Sequence, residues 1–468
     1  MKQSALSLIP SIDSLLIKTE QKLQPPFSKT IIKEQLQKIV SELRREWASA
    51  PDCPFETREQ ITELILHRVQ QLLNTLATPS LRHVINATGI ILHTGLGRAP
   101  LPPAAQENLR CIAAGYSNLE FDLKNGKRGE RSDHVRELLR QLTGAEDALV
   151  VNNNAAAVFL CLNTMAFGKE AIISRGQLIE IGGSFRLPEI MQQSGCIMRE
   201  IGTTNKTKSA DYRKAIVQQT GVVVVAHTSN YRVMGFVEEV PLQEVVAIAR
   251  EGNLPVLHDL GGGVIVDLRK YGLPYEPLVQ DSVLADADVI TFSGDKVLGG
   301  PQSGIIVGKR KWLEKIHRNP IMRAVRCDKL SYAALEATLQ LFLDPEKLPQ
   351  NHPTLRLLTA PIAQVRSRAE DLRMRLTSQI QSRWQVTIES TDGQTGSGAL
   401  PLQAIPSVSL VLSAEDMSAQ EIAAQLRRST PPVVGYIQND RIFLDMRTVL
   451  DEELEDLASV INRMATTI

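Results

Sequence analysis

The residues of this 468-residue chain best suited to chemistry stand at the ends of apolar runs. At 293–302 the run SGDKVLGGPQ puts Lys296 in a polar, glycine-rich turn directly after the apolar stretch 289–292. A lysine there loses solvation, its neutral amine becomes available, and it can form an imine with an aldehyde. At 255–263 the run PVLHDLGGG ends an apolar stretch on Asp259. A carboxylate so placed is costly unless it pairs with a cation, and a protonated ring nitrogen would serve. Val151 runs into Asn152, Asn153, Asn154 and three alanines before an apolar helical segment, and free backbone amides at such a helix start bind anions. The stretch 222–226 ends in His227, Thr228, Ser229 and Asn230, a polar cluster that could touch a ligand. Each piece also has a plain alternative: a surface lysine, a helix-capping aspartate, ordinary turn chemistry.

The order of the pieces narrows the choice. An N-N-A-A loop, then D-x-G at a strand end, then S-x-x-K with Lys296 37 residues after Asp259, resembles the fold-type-I enzymes that use pyridoxal phosphate. In those enzymes the aspartate keeps the ring nitrogen protonated, and the lysine holds the aldehyde and then shuttles the α-proton. No G-x-G-x-x-G follows a first strand, which disfavours a nicotinamide site.

Such residues need a sheet to position them. Short apolar runs at 148–151, 171–173, 222–226, 256–257, 289–292 and 305–307 alternate with helical segments such as 242–250. That rhythm predicts a mostly parallel sheet covered by helices, with ligands beyond the carboxyl ends of its strands. Upstream, Ile31, Ile32, Leu36, Ile39, Val40, Leu43 and Trp47 recur at helical steps until Pro51 and Pro54. Thr57 and Gln60 then form a T-x-x-Q capping box before a second periodic run ending near Leu76. From about 340 the texture changes again: an apolar run at 408–412, a helix at 419–428, a hairpin at Asn439-Asp440 and a terminal helix at 452–464. The segment 391–398 (TDGQTGSG) has the composition of a flexible loop. The expected architecture is therefore α/β, with a helical N-terminal domain at 1–70, a large catalytic domain at 71–335 and a smaller α/β domain at 336–468.

Composition excludes other classes. With 43% hydrophobic and 22% charged residues the chain is ordinary globular material, not disordered or fibrous. Lys plus Arg and Asp plus Glu are 52 each, which argues against a coat for nucleic acid and gives no sign of DNA binding. Residues 1–50 carry eight basic and five acidic side chains, a mild excess that a solvated helical face also explains. The cysteines, Cys53, Cys111, Cys161, Cys196 and Cys327, are odd in number and lack C-x-x-C spacing. A reduced, cytoplasmic protein without disulfides or metal is expected. No apolar run is long enough to span a membrane, and no signal peptide is evident.

Longer motifs make the resemblance specific. The segments 85–101 (INATGIILHTGLGRAPL), 180–186 (EIGGSFR), 202–205 (GTTN), 227–231 (HTSNY), 293–302 (SGDKVLGGPQ) and 335–339 (LEATL) resemble bacterial selenocysteine synthases, the L-seryl-tRNA(Sec) selenium transferases. The likeness covers essentially the whole chain. One departure is HDLGGG at 258–263, where a serine is expected in the glycine run. The resemblance implies an aspartate-aminotransferase-like, pyridoxal-phosphate-dependent transferase. It would replace the β-hydroxyl of serine, esterified to the selenocysteine tRNA, with selenium from selenophosphate. It implies Lys296 as the catalytic residue and Asp259 at the ring nitrogen. Asn153, Asn154 and Ser293 would hold the cofactor phosphate, and His227 or Ser229 the ring oxygen or the ester. Gln177 and Glu180 are candidates, by position only, for stacking on the ring. Arg98, Arg323 and Arg326 would bind selenophosphate. Guanidinium groups suit a compact anion, and on a helical turn Arg323 and Arg326 would share a face; a solvated face or a subunit-contact ion pair is the alternative. The resemblance further implies N-terminal helices that grip the tRNA and a homo-oligomeric ring of dimers, a decamer.

Two rivals stand beside this expectation. One is a lyase or aldolase of the same superfamily acting on a small molecule; the N-terminal helices argue against it. The other is a non-catalytic tRNA-binding relative; the pairing of Asp259 with Lys296 argues against that.

Overall fold

The computed structural model describes residues 5–23, 27–48, 55, 57–181, 185–231, 233–398 and 404–464. Pro51, Cys53 and Pro54, with Gly182, Gly183 and Ser184 of one motif, lie outside the described residues. The chain divides into two compact units, Met1–His83 and Val84–Ile468.

Among its described residues the first unit has three α-helices, α1 (Ile12–Leu23), α2 (Lys29–Ala48) and α3 (Arg58–Ala77). Leu36 and Leu43 of α2 and Ile61, Ile65 and Val69 of α3 meet in one core with Leu15 of α1. Full burial of each such side chain contributes roughly 1.5–3 kcal/mol. The capping box forms as expected: Thr57 Oγ1 accepts the Gln60 N–H and Gln60 Oε1 accepts the Thr57 N–H. The helix it starts runs to Ala77, so a boundary at residue 70 would cut through it.

The second unit is built on a seven-stranded sheet. Its strands are β1 (Asp147–Val151), β2 (Glu170–Ser174), β3 (Ile197–Ile201), β4 (Thr220–Ala226), β5 (Val256–Gly261), β6 (Val289–Ser293) and β7 (Gly304–Gly308). They lie in the order β1-β7-β6-β5-β4-β2-β3, and β7 alone runs antiparallel to its neighbours. All six apolar runs became strands because both sheet faces are covered. Leu149, Val151 and Ile306 pack on one side with the helix α4 (Asn154–Ala166); Ala148, Val150, Ile305 and Val307 pack on the other. The seventh strand, β3, is an edge whose Arg199 and Glu200 face solvent, so no apolar run announced it.

The C-terminal part carries an antiparallel sheet of β8 (Trp384–Gly393), β9 (Ile405–Ala414), β10 (Tyr436–Gln438) and β11 (Arg441–Asp445), ordered β8-β9-β11-β10. Asn439 and Asp440 form the expected hairpin turn, both with positive φ. The segment 391–398 is not a loose loop. Its first residues finish β8, and Gln394 and Thr395 carbonyls accept the Ile91 and Leu92 N–H groups at 2.9 and 2.7 Å. Composition suggested flexibility, but pairing with a distant segment supplies the hydrogen bonds that order it.

Candidate active site

The carboxyl ends of β1, β4, β5 and β6 open onto one cavity of about 260 Å³. Arg98, Asn153, Asn154, His227, Ser229, Asp259, Ser293 and Lys296 all line it. Residues separated by almost 200 positions in the chain thus share one pocket.

At its floor, Asp259 is 4% exposed and Lys296 is 5% exposed. Asp259 Oδ1 accepts from Asn154 Nδ2 at 2.9 Å and from Thr291 Oγ1 at 3.0 Å. Among the described residues the second carboxylate oxygen takes no hydrogen bond, which leaves it for a cationic partner. Burial pushes the Asp259 carboxyl above its ordinary range, against the opposing effect of Asn154, Thr291 and Lys296. Burial likewise pushes the Lys296 ammonium below its ordinary value; Asp259 opposes this and Arg98 reinforces it. Both shifts favour the uncharged forms, which is the state an imine-forming amine requires. The glycines of 261–263 make room for this pair. Gly261 (φ +70) would place a β-carbon 4.0 Å from Lys296 Nζ, and Gly263 (φ +74) one 2.5 Å from the Ser293 carbonyl. A serine in that run would fit at neither left-handed position without strain.

The helix α4 begins at the cavity wall. Asn153 is its N-cap, and Asn153 Oδ1 accepts the Ala156 N–H at 2.8 Å. The side-chain oxygen of Asn153 is therefore committed to the helix, and Asn154 spends its amide on Asp259. This corner offers an anion the backbone N–H groups of Asn154 and Ala155, which have no partner among the described residues. The cap engages only the oxygen of Asn153, so its side-chain N–H groups remain as donors on the cavity lining, whereas Asn154 directs an N–H to Asp259. Ser293, at the end of β6, adds a hydroxyl to the lining.

On the opposite side, the His227 N–H donates to the Asp259 carbonyl, and His227 Nε2 lies 3.4 Å from Glu276 Oε1. Ser229 Oγ and Asn154 Oδ1 are buried without a hydrogen-bond partner. Native proteins rarely leave such atoms orphaned, and both face the cavity region, so a bound polar group fits there. Ile179 and Phe185 provide the apolar wall. Gln177 and Glu180 do not line it: Gln177 Oε1 accepts the Ala226 N–H, and Glu180 pairs with Arg186 at the surface. The donor set, with an anion corner, an apolar wall, a free carboxylate oxygen and a buried amine, fits pyridoxal phosphate.

The arginines divide. Arg98 lines the cavity from a left-handed backbone position (φ +64) and pairs with Asp295 at 2.6 Å. Arg323 is exposed on the short helix α5 (Ile321–Val325), and Arg326 follows its end with extended backbone, pairing with Glu120 at 3.4 Å. The shared helical face is therefore not formed, because the helix stops between them. Neither is among the residues lining the cavity, although the Asn152 N–H bonds the Val325 carbonyl and holds this segment beside the loop entering α4.

His258, next to Asp259, is buried and bonded through Nδ1 to Ser282 Oγ at 2.9 Å. Burial pushes it down to about 3, with His227 a lesser cause. A histidine held below its unfolded value of about 6.5 contributes stability above that pH and loses it as pH falls. Between pH 7 and pH 5 the loss is about 2 kcal/mol. Denaturant unfolding at the two pH values should therefore show His258→Asn losing less than the wild type by that amount; equal losses would refute the assignment.

Among the described residues, no group of His, Cys, Asp and Glu could hold a metal, and no helix is long and apolar enough to cross a membrane. Cys111, Cys161, Cys196 and Cys327 are free thiols.

Comparison with known proteins gives a consistent picture. The family model described as L-seryl-tRNA selenium transferase matches residues 84–450. The chain is 45% identical over 456 residues to the L-seryl-tRNA(Sec) selenium transferase of Carboxydothermus hydrogenoformans, covering 97% of this chain and 96% of that one. The protein of the same name from Geobacter sulfurreducens is 49% identical over 389 residues, 83% and 84% of the two chains. Among solved structures, D-glucosaminate-6-phosphate ammonia-lyase superposes with a TM-score of 0.56 at 19% identity, over 84% of this chain and 98% of that one, a likeness of fold.

Proposed function

Since the chain belongs to the L-seryl-tRNA selenium transferase family, we propose that it converts seryl-tRNA(Sec) to selenocysteinyl-tRNA(Sec), taking selenium from selenophosphate. The observation that carries the proposal is the convergence of Lys296 and Asp259 on one cavity beside the start of α4. Pyridoxal phosphate, when bound, draws electron density from the α-carbon of an attached amino acid and so labilises its α-proton and β-substituent.

This chain's residues supply the rest. The Asn154 and Ala155 amides and Ser293 hold an anionic tail, with Asn153 fixing the helix that presents them. Asp259, braced by Asn154 and Thr291, keeps a ring nitrogen protonated. Lys296 Nζ anchors the cofactor and then takes the α-proton. Ser229 offers a hydroxyl to a ring oxygen, and His227 stands beside the substrate ester. Arg98 inside the cavity, with Arg323 and Arg326 from the adjoining segment, binds the selenium donor. The helices of the first unit hold the tRNA, the protein acts in the cytoplasm, and it assembles as a ring of dimers, a decamer.

An assay of product identity tests this. Protein supplied with seryl-tRNA(Sec) and selenophosphate should yield esterified selenocysteine; serine left unconverted would overturn the proposal. In the same assay Arg323→Ala should retain cofactor but raise the KM for selenophosphate about tenfold or more, the worth of one charge-assisted contact. An unchanged KM would remove Arg323 from the set.

A further inference from the structure

The turn that follows Lys296 is anchored by a side chain far along the sequence. Two backbone bonds close the turn on itself: Gly299 N–H to the Lys296 carbonyl at 2.9 Å, and Gly300 N–H to the Gly294 carbonyl at 2.8 Å. A third bond joins the Leu298 carbonyl to Nε2 of His352 at 2.8 Å. His352 is completely buried. Its Nδ1 accepts the Leu355 N–H at 3.2 Å, as the N-cap of the helix α6 (Pro353–Thr359). A ring nitrogen that accepts carries no hydrogen, so Nε2 carries it and donates to Leu298. Burial pushes His352 down to about 4, which keeps the ring neutral across the neutral range. The ring also lies hard against the turn. Gly299 is left-handed (φ +68), and a β-carbon there would come within 2.2 Å of His352 Cε1. Phe342 meets the imidazole edge-on, with centroids 5.4 Å apart.

We propose that His352 is a positioning residue for Lys296: by holding the Leu298 carbonyl it fixes the turn and with it the place of Lys296 Nζ in the cavity. The inference rests on the proposal that Lys296 carries the cofactor. A competing account is that His352 serves only to cap α6.

The two hydrogen bonds of His352 can be separated chemically. Glutamine places an amide nitrogen near the position of Nε2, so His352→Gln keeps the bond to Leu298 and weakens the helix cap. Asparagine places a carbonyl oxygen near Nδ1, so His352→Asn keeps the cap and loses the bond to Leu298. The full-length holoenzymes are compared by three readouts: the pH midpoint of the absorbance of the lysine-bound cofactor, the rate at which hydroxylamine strips it, and thermal stability. Displacement of a reacting group by about 1 Å can cost up to about a hundredfold in rate. His352→Asn should therefore be stripped about tenfold faster or more and should shift the midpoint, while remaining the more stable variant. His352→Gln should stay within about twofold of the wild-type stripping rate, despite a lower melting temperature. If Lys296→Ala retained the wild-type absorbance band, the cofactor assignment itself would fall. A wild-type band that depends on Lys296, with His352→Asn unchanged in rate and midpoint, would overturn the positioning role alone. Should the asparagine variant not fold, the glutamine variant decides: near-wild-type stripping supports the proposal and a tenfold change overturns it.

Discussion

Lys296→Ala is expected to abolish turnover while leaving the fold intact. The amine is buried, and burial disfavours its charged form. Removing it takes an expensive group out of a low-dielectric site, so the cofactor-free variant should melt no lower than the wild type. The catalytic loss has two parts. A positioned base contributes about a hundred- to ten-thousandfold, and loss of the covalent anchor adds to it. Single-turnover assays with seryl-tRNA(Sec) should therefore show no selenocysteine above background. An added small amine such as methylamine should restore only a trace. Residual activity within about tenfold of the wild type would mean that another group takes the proton.

Asp259→Asn carries the second-largest effect. The amide oxygen can still accept from Asn154 and Thr291, so the floor of the site keeps its shape. What disappears is the negative charge that the proposed function sets against the ring nitrogen. Breaking one partner of a buried charge pair costs about 3–5 kcal/mol, which at about 1.4 kcal/mol per factor of ten is roughly a thousandfold in rate. Stability of the cofactor-free protein should move the other way. Burial holds the Asp259 carboxyl above its ordinary value, so its ionisation weakens the fold as pH rises past about 4. The asparagine variant escapes that loss, and its advantage in melting temperature should be larger at pH 7 than at pH 4. A variant with near-normal kcat would show that Asp259 is only a structural residue.

Much of this site was legible before any coordinates because its residues sit at the ends of strands buried on both faces. Such strands appear as unbroken apolar runs, and whatever polar residue follows them faces the ligand side. Lys296 and Asp259 were found that way. Thr291 was missed because its contact depends on register: it pairs with Asp259 across β5 and β6, and pairing between strands leaves no local trace. The same holds for His352, which reaches Leu298 across 54 positions. The bonds of Asn153 and Asn154 were hidden for a different reason: a side-chain amide can cap a helix through its oxygen or donate its N–H to a carboxylate or a phosphate, and sequence does not say which bond forms. Helical spacing misled at Arg326, where the helix ends one residue earlier. Composition misled at 391–398, where the Gln394 and Thr395 carbonyls accept the Ile91 and Leu92 N–H groups. The helix α1 has no capping box or long apolar period to announce it, yet its Leu15 shares the core of α2 and α3.

The most direct test of the central claim is the absorbance spectrum of the purified protein before and after seryl-tRNA(Sec), with free serine as the control. A band from lysine-bound cofactor that shifts with the charged tRNA and ignores free serine is the expected result. It would join the chemistry of Lys296 to a substrate carried on RNA. A band that responds to neither, or that shifts equally with free serine, would contradict the account and return the site to small-molecule chemistry.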